Sequence, residues 1–146
     1  MNNNSSILHF ETEVCADTSN LLKIREQLTQ FLNEINFDKD NIIKVLLVVD
    51  EYITNIIRYS YKEDSSKSIK MIADSDGYLL KIEVFDDGDS FNVLDYQTNA
   101  IEDHIKRPHK GGLGIPFMKL FANSIEYFPK SEKSKSNVTR FKFISN

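Results

Sequence analysis

A single cysteine, Cys15, leaves no partner for an internal disulfide and no basis for a zinc site built from several cysteines. The three histidines, His9, His104 and His109, are scattered, with no metal-ligand spacing to Cys15 or to one another. No apolar run reaches membrane-spanning length, the longest being broken by Asp50, Glu51 and Asn55. The opening Met1-Asn2-Asn3-Asn4-Ser5-Ser6 has neither a basic segment nor an apolar core. No signal peptide or membrane partner is expected, and the chain reads as cytoplasmic. Positive charge is also short. Eighteen Lys and Arg face 22 Asp and Glu, and the net charge of −4 argues against a nucleic-acid partner, since phosphate recognition rests on clustered basic residues. Lys130, Lys133 and Lys135 are neighbours, but Ser and Glu interrupt them.

What remains is ordinary for a globular protein: 146 residues, 40% hydrophobic and 27% charged. That length suits one domain, residues 1–146, with a real core and with residues 1–6 expected to be disordered.

The chain is organised around Val45 to Tyr59, apolar almost throughout yet carrying Asp50, Glu51 and Asn55. Such a run predicts a helix buried on more than one side. Glu51 and Asn55 are four apart and share one helical face. An acid and an amide there need a partner, because burying them unpaired is costly. Two partners suit them: an N–H or water inside the fold, or a divalent cation such as Mg²⁺ that takes hard oxygen donors and is completed by phosphates.

Around this helix the pattern is regular. Ile7 to Val14 alternates as a half-buried strand. Asp17 to Asn20 offers several capping residues before an amphipathic helix marked by Leu21, Ile24, Leu28, Phe31, Leu32 and Ile35. Asp38 or Asp40 caps the central helix, which should end near Tyr61. Ser68–Ala73 and Tyr78–Phe85 predict a hairpin around Asp76-Gly77. Residues 92–110 show little pattern beyond a short helix over 95–101, and so long an irregular segment in a compact domain points to function. A helix follows Gly111-Gly112-Leu113-Gly114, with Pro116 in its first turn. Ser124–Phe128 and Val138–Ile144 close the chain as paired strands. This order predicts an α/β two-layer sandwich: a mixed, mostly antiparallel sheet covered on one face by about three helices.

Two further stretches carry chemistry. Asp86-Asp87-Gly88 follows an apolar strand. It reads either as a surface turn or as a carboxylate able to accept from an exocyclic amine, beside a glycine that lets a planar ligand approach. Gly111-Gly112-Leu113-Gly114 before a helix suits an anion site, since free N–H groups and the helix dipole favour phosphate; a flexible hinge is the other reading. Lys110 either meets a terminal phosphate or is one more solvated lysine.

The order of these stretches is more specific than any one of them. Glu51-x-x-x-Asn55 on a helix, Asp86-x-Gly88 after a strand, then Gly-Gly-x-Gly opening a helix resembles the ATP-binding fold shared by gyrase, Hsp90, histidine kinases and MutL. Within it the chain is similar to the bacterial anti-sigma factor serine kinases, through Asp50-Glu51-x-x-Thr54-Asn55-x-Ile57-Arg58, Asp86-Asp87-Gly88-Asp89-Ser90-Phe91 and Gly111-Gly112-Leu113-Gly114-Ile115. The resemblance covers nearly the whole chain. Ser90 departs from the wider pattern, which often has glycine there.

The resemblance implies roles. Asn55 would coordinate Mg²⁺ and Glu51 would be the general base. Asp86 and Gly88 would bind adenine. Lys110, Gly112, Leu113 and Gly114 would meet the ATP phosphates beneath a lid over residues 92–113. A threonine usually enters the last strand, and Thr139 is the candidate. The implied protein is a homodimer, formed through the face of the first strand and first helix. It holds a sigma factor inactive and phosphorylates an anti-anti-sigma protein on serine. A nucleotide-gated binding module without phosphotransfer is the alternative. A detached histidine-kinase catalytic domain fits less well, because no helical segment bearing an acceptor histidine precedes this domain.

Overall fold

The computed structural model describes residues 6–95 and 114–145. Five strands form one sheet: β1 (Leu8–Cys15), β2 (Ser68–Ser75), β3 (Leu79–Asp86), β4 (Ser124–Phe128) and β5 (Asn137–Ile144). Their spatial order is β1-β2-β3-β5-β4, and each neighbouring pair is antiparallel. The sheet is therefore antiparallel throughout, a sharper result than the mixed sheet expected. Three helices complete the second layer: α1 (Leu21–Glu34), α2 (Lys39–Asn55) and α3 (Gly114–Phe121).

Strand alternation fixes which side chains meet the helices. Ile69, Met71 and Ala73 of β2, Leu80, Ile82 and Val84 of β3, and Phe141 and Phe143 of β5 are buried, together with Ile24, Leu28 and Leu32 of α1 and Val45, Val48, Val49 and Tyr52 of α2. The same phase carries Asp86, Asn137 and Thr139 onto the inner face at one end of the sheet. Polar groups thus enter the space under the helices because they continue an apolar rhythm. The outer face is charged instead. Arg140 meets Glu83 at 3.1 Å and Glu126 at 3.5 Å, and Lys70 meets Glu11 at 3.0 Å.

Two local signals act as the sequence predicts. Asp17 caps the turn before α1 by accepting from Ser19 N at 2.9 Å. Gly77 takes φ +92° in the hairpin turn, where Asp76 accepts from Tyr78 N and Leu79 N. The central helix ends at Ser60, close to the expected Tyr61, but not as one α-helix throughout. It is α-helical to Asn55 and then widens into a π turn, Ile56–Ser60, closed by Tyr61 N donating to Ile56 O at 2.9 Å. Apolar spacing does not distinguish the two windings over five residues. Such turns occur often at functional sites. Val93–Asp95 forms a short 3₁₀ turn. The rest of the expected short helix, most of the expected lid, Lys110, Gly112, Leu113 and the first five residues lie outside the described residues. Among the described residues no helix is long and apolar enough to cross a membrane.

Candidate functional site

Glu51 and Asn55 stand one turn apart on α2, on the side that meets α3. Asn55 is 1% exposed, and its Nδ2 has no hydrogen-bond partner among the described residues. Among side-chain nitrogens and oxygens of the described residues that are fully closed off from solvent, no other is left so. An unsatisfied buried amide N–H costs about 1–3 kcal/mol, so Nδ2 calls for an acceptor.

Glu51 is half-buried, and its carboxyl lies against Gly114, the first residue of α3. A Cβ on Gly114 would collide with Glu51 Oε2 and sit 3.0 Å from its Cδ. Glycine at 114 therefore makes room for the acid. Burial raises the Glu51 pKa above the ordinary carboxylate range, and neighbouring Asp50 adds to this; Arg58 opposes both. Asp50 itself is paired with Arg25 at 2.8 Å.

Asp86 ends β3 and is buried. Its Oδ1 accepts from Gly88 N at 3.0 Å and from Asn137 Nδ2 at 3.1 Å. Burial raises its pKa; those two hydrogen bonds and Lys130 pull the other way, while Asp87 adds to the rise. Gly88 leaves no space for a side chain, since a Cβ there would sit 2.6 Å from Ser60 O and 2.9 Å from Tyr61 Cδ1.

The turn after β3 is stitched to the end of α2. Asp89 N donates to Ser60 O at 3.0 Å, and Ser60 Oγ returns a bond to Asp89 O at 2.7 Å. Asp87 N donates to the Tyr61 hydroxyl at 2.9 Å, which itself donates to Ser68 O at 2.6 Å. Tyr59 stacks on Phe91, with ring centres 5.9 Å apart. The π turn delivers Ser60 and Tyr61 to these bonds. The helix carrying Glu51 and Asn55 and the turn carrying Asp86 and Gly88 are thereby held in one frame.

Thr139, the candidate for the last-strand threonine, is buried on the inner face of β5. It pairs with Val84 in the β3–β5 ladder and bonds the buried hydroxyl of Tyr52, whose ring packs edge-on against Phe141. The residue opposite Asp86 is Asn137. Sequence reading missed it by starting the last strand at Val138. Counting the strand's inward phase back from Phe141 and Thr139 would have reached it.

A family model described as a histidine kinase-like ATPase domain matches residues 14–143 of the chain. Two curated relatives, both serine-protein kinase RsbW from Bacillus licheniformis, are 26% identical over 106 residues and 28% identical over 109. Each match takes in 70% of this chain and spans 66% of the relative's own length. Among solved structures, the RsbU and RsbW domains of a Mycobacterium tuberculosis protein superpose over 94% of this chain and 32% of theirs, with TM-score 0.65 and 14% identity. The SiaB–SiaC complex from Pseudomonas aeruginosa matches over 94% of this chain and 89% of its own, with TM-score 0.56 and 14% identity. Likeness at that identity speaks for the fold alone.

Proposed function

From the premise that the chain belongs to the histidine kinase-like ATPase domain family, we propose that it is an ATP-dependent serine kinase of the anti-sigma type. In this reading it restrains a sigma factor in the cytoplasm and phosphorylates an anti-anti-sigma protein on serine. The name shared by the Bacillus relatives, serine-protein kinase, supports the transfer. The SiaB–SiaC complex, a neighbour of the same fold bound to a second protein, supports a protein partner.

One observation carries the reading most directly. Asn55 is buried with its Nδ2 unpartnered, an N–H donor that needs an acceptor such as a phosphate oxygen, one helical turn from Glu51 and in one frame with Asp86. An amide oxygen is a hard donor, and Asn55 is the residue that would hold Mg²⁺. When bound, that ion supplies charge neutralisation on the transferring phosphate. Asp86 accepts from the exocyclic amine of adenine, and Gly88 keeps the approach clear for the base. Gly114, with Gly112, Leu113 and Lys110, receives the phosphates. Glu51 takes the proton from the acceptor serine. The serine oxygen then bonds to the γ-phosphorus, the bond from that phosphorus to the bridging oxygen breaks, and ADP leaves with the electron pair. A raised pKa suits Glu51 to this task, since a base works best when its pKa approaches the working pH.

Family likeness also implies a homodimer. The exposed Leu8 at the free edge of the sheet and the exposed Leu22 of α1 support the face of β1 and α1 as its surface.

The test is a calorimetric titration with ATP and ADP, with and without Mg²⁺, followed by labelled ATP and an anti-anti-sigma acceptor. Mg²⁺-dependent binding that Asp86→Asn abolishes, with label on serine, is expected. Binding without transfer leaves a nucleotide-gated regulator. No binding by a folded sample overturns the reading.

A further inference from the structure

Asn137 opens β5 opposite Asp86 and is 1% exposed. Its Nδ2 donates to Asp86 Oδ1 at 3.1 Å and to Gly88 O at 3.0 Å. Its Oδ1 accepts from Lys130 N at 2.8 Å and from the Tyr127 hydroxyl at 3.3 Å. The Tyr127 hydroxyl in turn meets Ser90 Oγ at 2.8 Å. One amide thus ties the turn after β3, strand β4 and the loop between β4 and β5. Two N–H donors and an oxygen with two lone pairs make this possible. Threonine, which the resemblance leads one to expect at the entry to the last strand, has one O–H to donate and cannot bond both Asp86 and Gly88. Ser90, the chain's other departure from the wider pattern, belongs to the same hydrogen-bonded chain.

We infer that Asn137 is a positioning residue that fixes which oxygen of Asp86 faces the nucleotide base, and thereby sets a preference for adenine over guanine. The inference rests on the proposed role of Asp86 and concerns what holds that side chain. Asp86 Oδ1 is occupied by Gly88 N and Asn137 Nδ2, whereas Oδ2 accepts from no group among the described residues. A carboxylate pinned at one oxygen presents the other in a fixed direction. The exocyclic amine of adenine donates to it. Guanine carries a carbonyl at the corresponding position and meets it acceptor to acceptor. Without Nδ2 the carboxylate turns about its terminal torsion, and the discrimination weakens.

The ionisable groups around Asp86 are Asp87 beside it, Tyr52 and Tyr61 from the helix layer, Tyr127 on β4 and Lys130 in the following loop. An Asn137→Asp substitution adds a second carboxyl within hydrogen-bond distance of the first. Such a pair shares a proton at low pH and repels once both ionise.

The full chain, wild type and as Asn137→Ala, Asn137→Thr and Asn137→Asp, is titrated calorimetrically with ADP and with GDP, and each variant is melted to verify folding. For Asn137→Ala, ADP affinity and the ADP-over-GDP ratio both fall about tenfold, as expected for a lost hydrogen bond to a charged group. Asn137→Thr keeps one donor and recovers part of both. For Asn137→Asp, ADP affinity and the ADP-over-GDP ratio both fall as pH rises from about 5 to about 8, the reverse of a site that needs only one ionised acid. A folded Asn137→Ala protein with an unchanged ratio overturns the inference. Where that variant does not fold, a pH-independent ratio in the size-matched Asn137→Asp protein overturns it. Wild type that binds neither nucleotide defeats the parent reading. Wild-type binding that Asp86→Asn abolishes and the Asn137 variants leave intact defeats this inference alone.

Discussion

Gly88 lies directly against Ser60, so that a Cβ on Gly88 would sit 2.6 Å from the Ser60 carbonyl oxygen and 2.8 Å from its carbon. Both are backbone atoms, and the same carbonyl accepts from Asp89 N. Neither side can yield without opening the join between α2 and the Asp86 turn. Gly88→Ala is expected to destabilise the fold by about 1–3 kcal/mol, the range for overpacking, and to weaken nucleotide binding. Denaturant unfolding together with an ADP titration measures both; an alanine variant of wild-type stability contradicts this packing.

Gly114→Ala should behave differently. The closest contacts of the added Cβ are with the far end of the flexible Glu51 side chain, which can swing away, leaving the Glu51 Cβ at 3.3 Å as the tight contact that remains. Alanine also favours a helix over glycine by up to about 1 kcal/mol. Stability is expected to be unchanged or higher, while phosphotransfer falls because the base has moved. A melting curve and a transfer assay on one preparation separate the two effects, and a less stable variant that retains transfer would contradict them.

The pH dependence follows from Glu51 and Asp86, both raised above the ordinary carboxylate value chiefly by burial. A raised acid binds its proton more tightly in the folded chain than in the unfolded one. The stabilisation is complete below the unfolded pKa, about 4, and is lost as pH rises through the raised folded values. Asn at 86 and Gln at 51 mimic the protonated acids. Asp86→Asn and Glu51→Gln are therefore expected to gain stability relative to wild type as pH climbs above about 4, an advantage absent at lower pH. Melting temperatures across that range decide it. Transfer rises over the same window as Glu51 ionises; Arg58→Ala shifts its midpoint upward, and Asp50→Asn shifts it downward.

Tyr52 and Thr139 share a buried hydrogen bond between hydroxyls. Thr139→Val is expected to cost about 1–3 kcal/mol by leaving the Tyr52 hydroxyl unpaired, with Tyr52→Phe similar and the double variant costing less than the sum. Nucleotide affinity in Thr139→Val should stay within about twofold of wild type, since Asn137 hydrogen-bonds Asp86 whereas the Thr139 hydroxyl is taken by Tyr52. A large loss of ADP binding in a stable Thr139→Val protein would return Thr139 to the pocket.

Sedimentation should report the proposed dimer at twice the chain mass of 16.9 kDa. Leu22→Lys, on the exposed side of α1, is expected to shift the equilibrium to monomer with little change in melting of the single chain, and a wild-type monomer over a wide concentration range would count against the dimer.

The sequence by itself determined the elements and their order. Strand alternation placed Leu80, Ile82 and Val84 on one face, and four-residue spacing put Glu51 and Asn55 together on a helical face. The Asp76-Gly77 pair set the hairpin. These signals are local, because each depends on the geometry of a single helix, strand or turn. What the tertiary structure decided is how separate segments meet. Asn137 faces Asp86 across 51 residues of chain because antiparallel pairing sets their register, and no local pattern carries that register. The bond between Tyr52 and Thr139, 87 residues apart, has the same origin. The unpartnered amide of Asn55 could be recognised only once its surroundings were packed, because the want of a partner is a property of neighbours drawn from the whole chain.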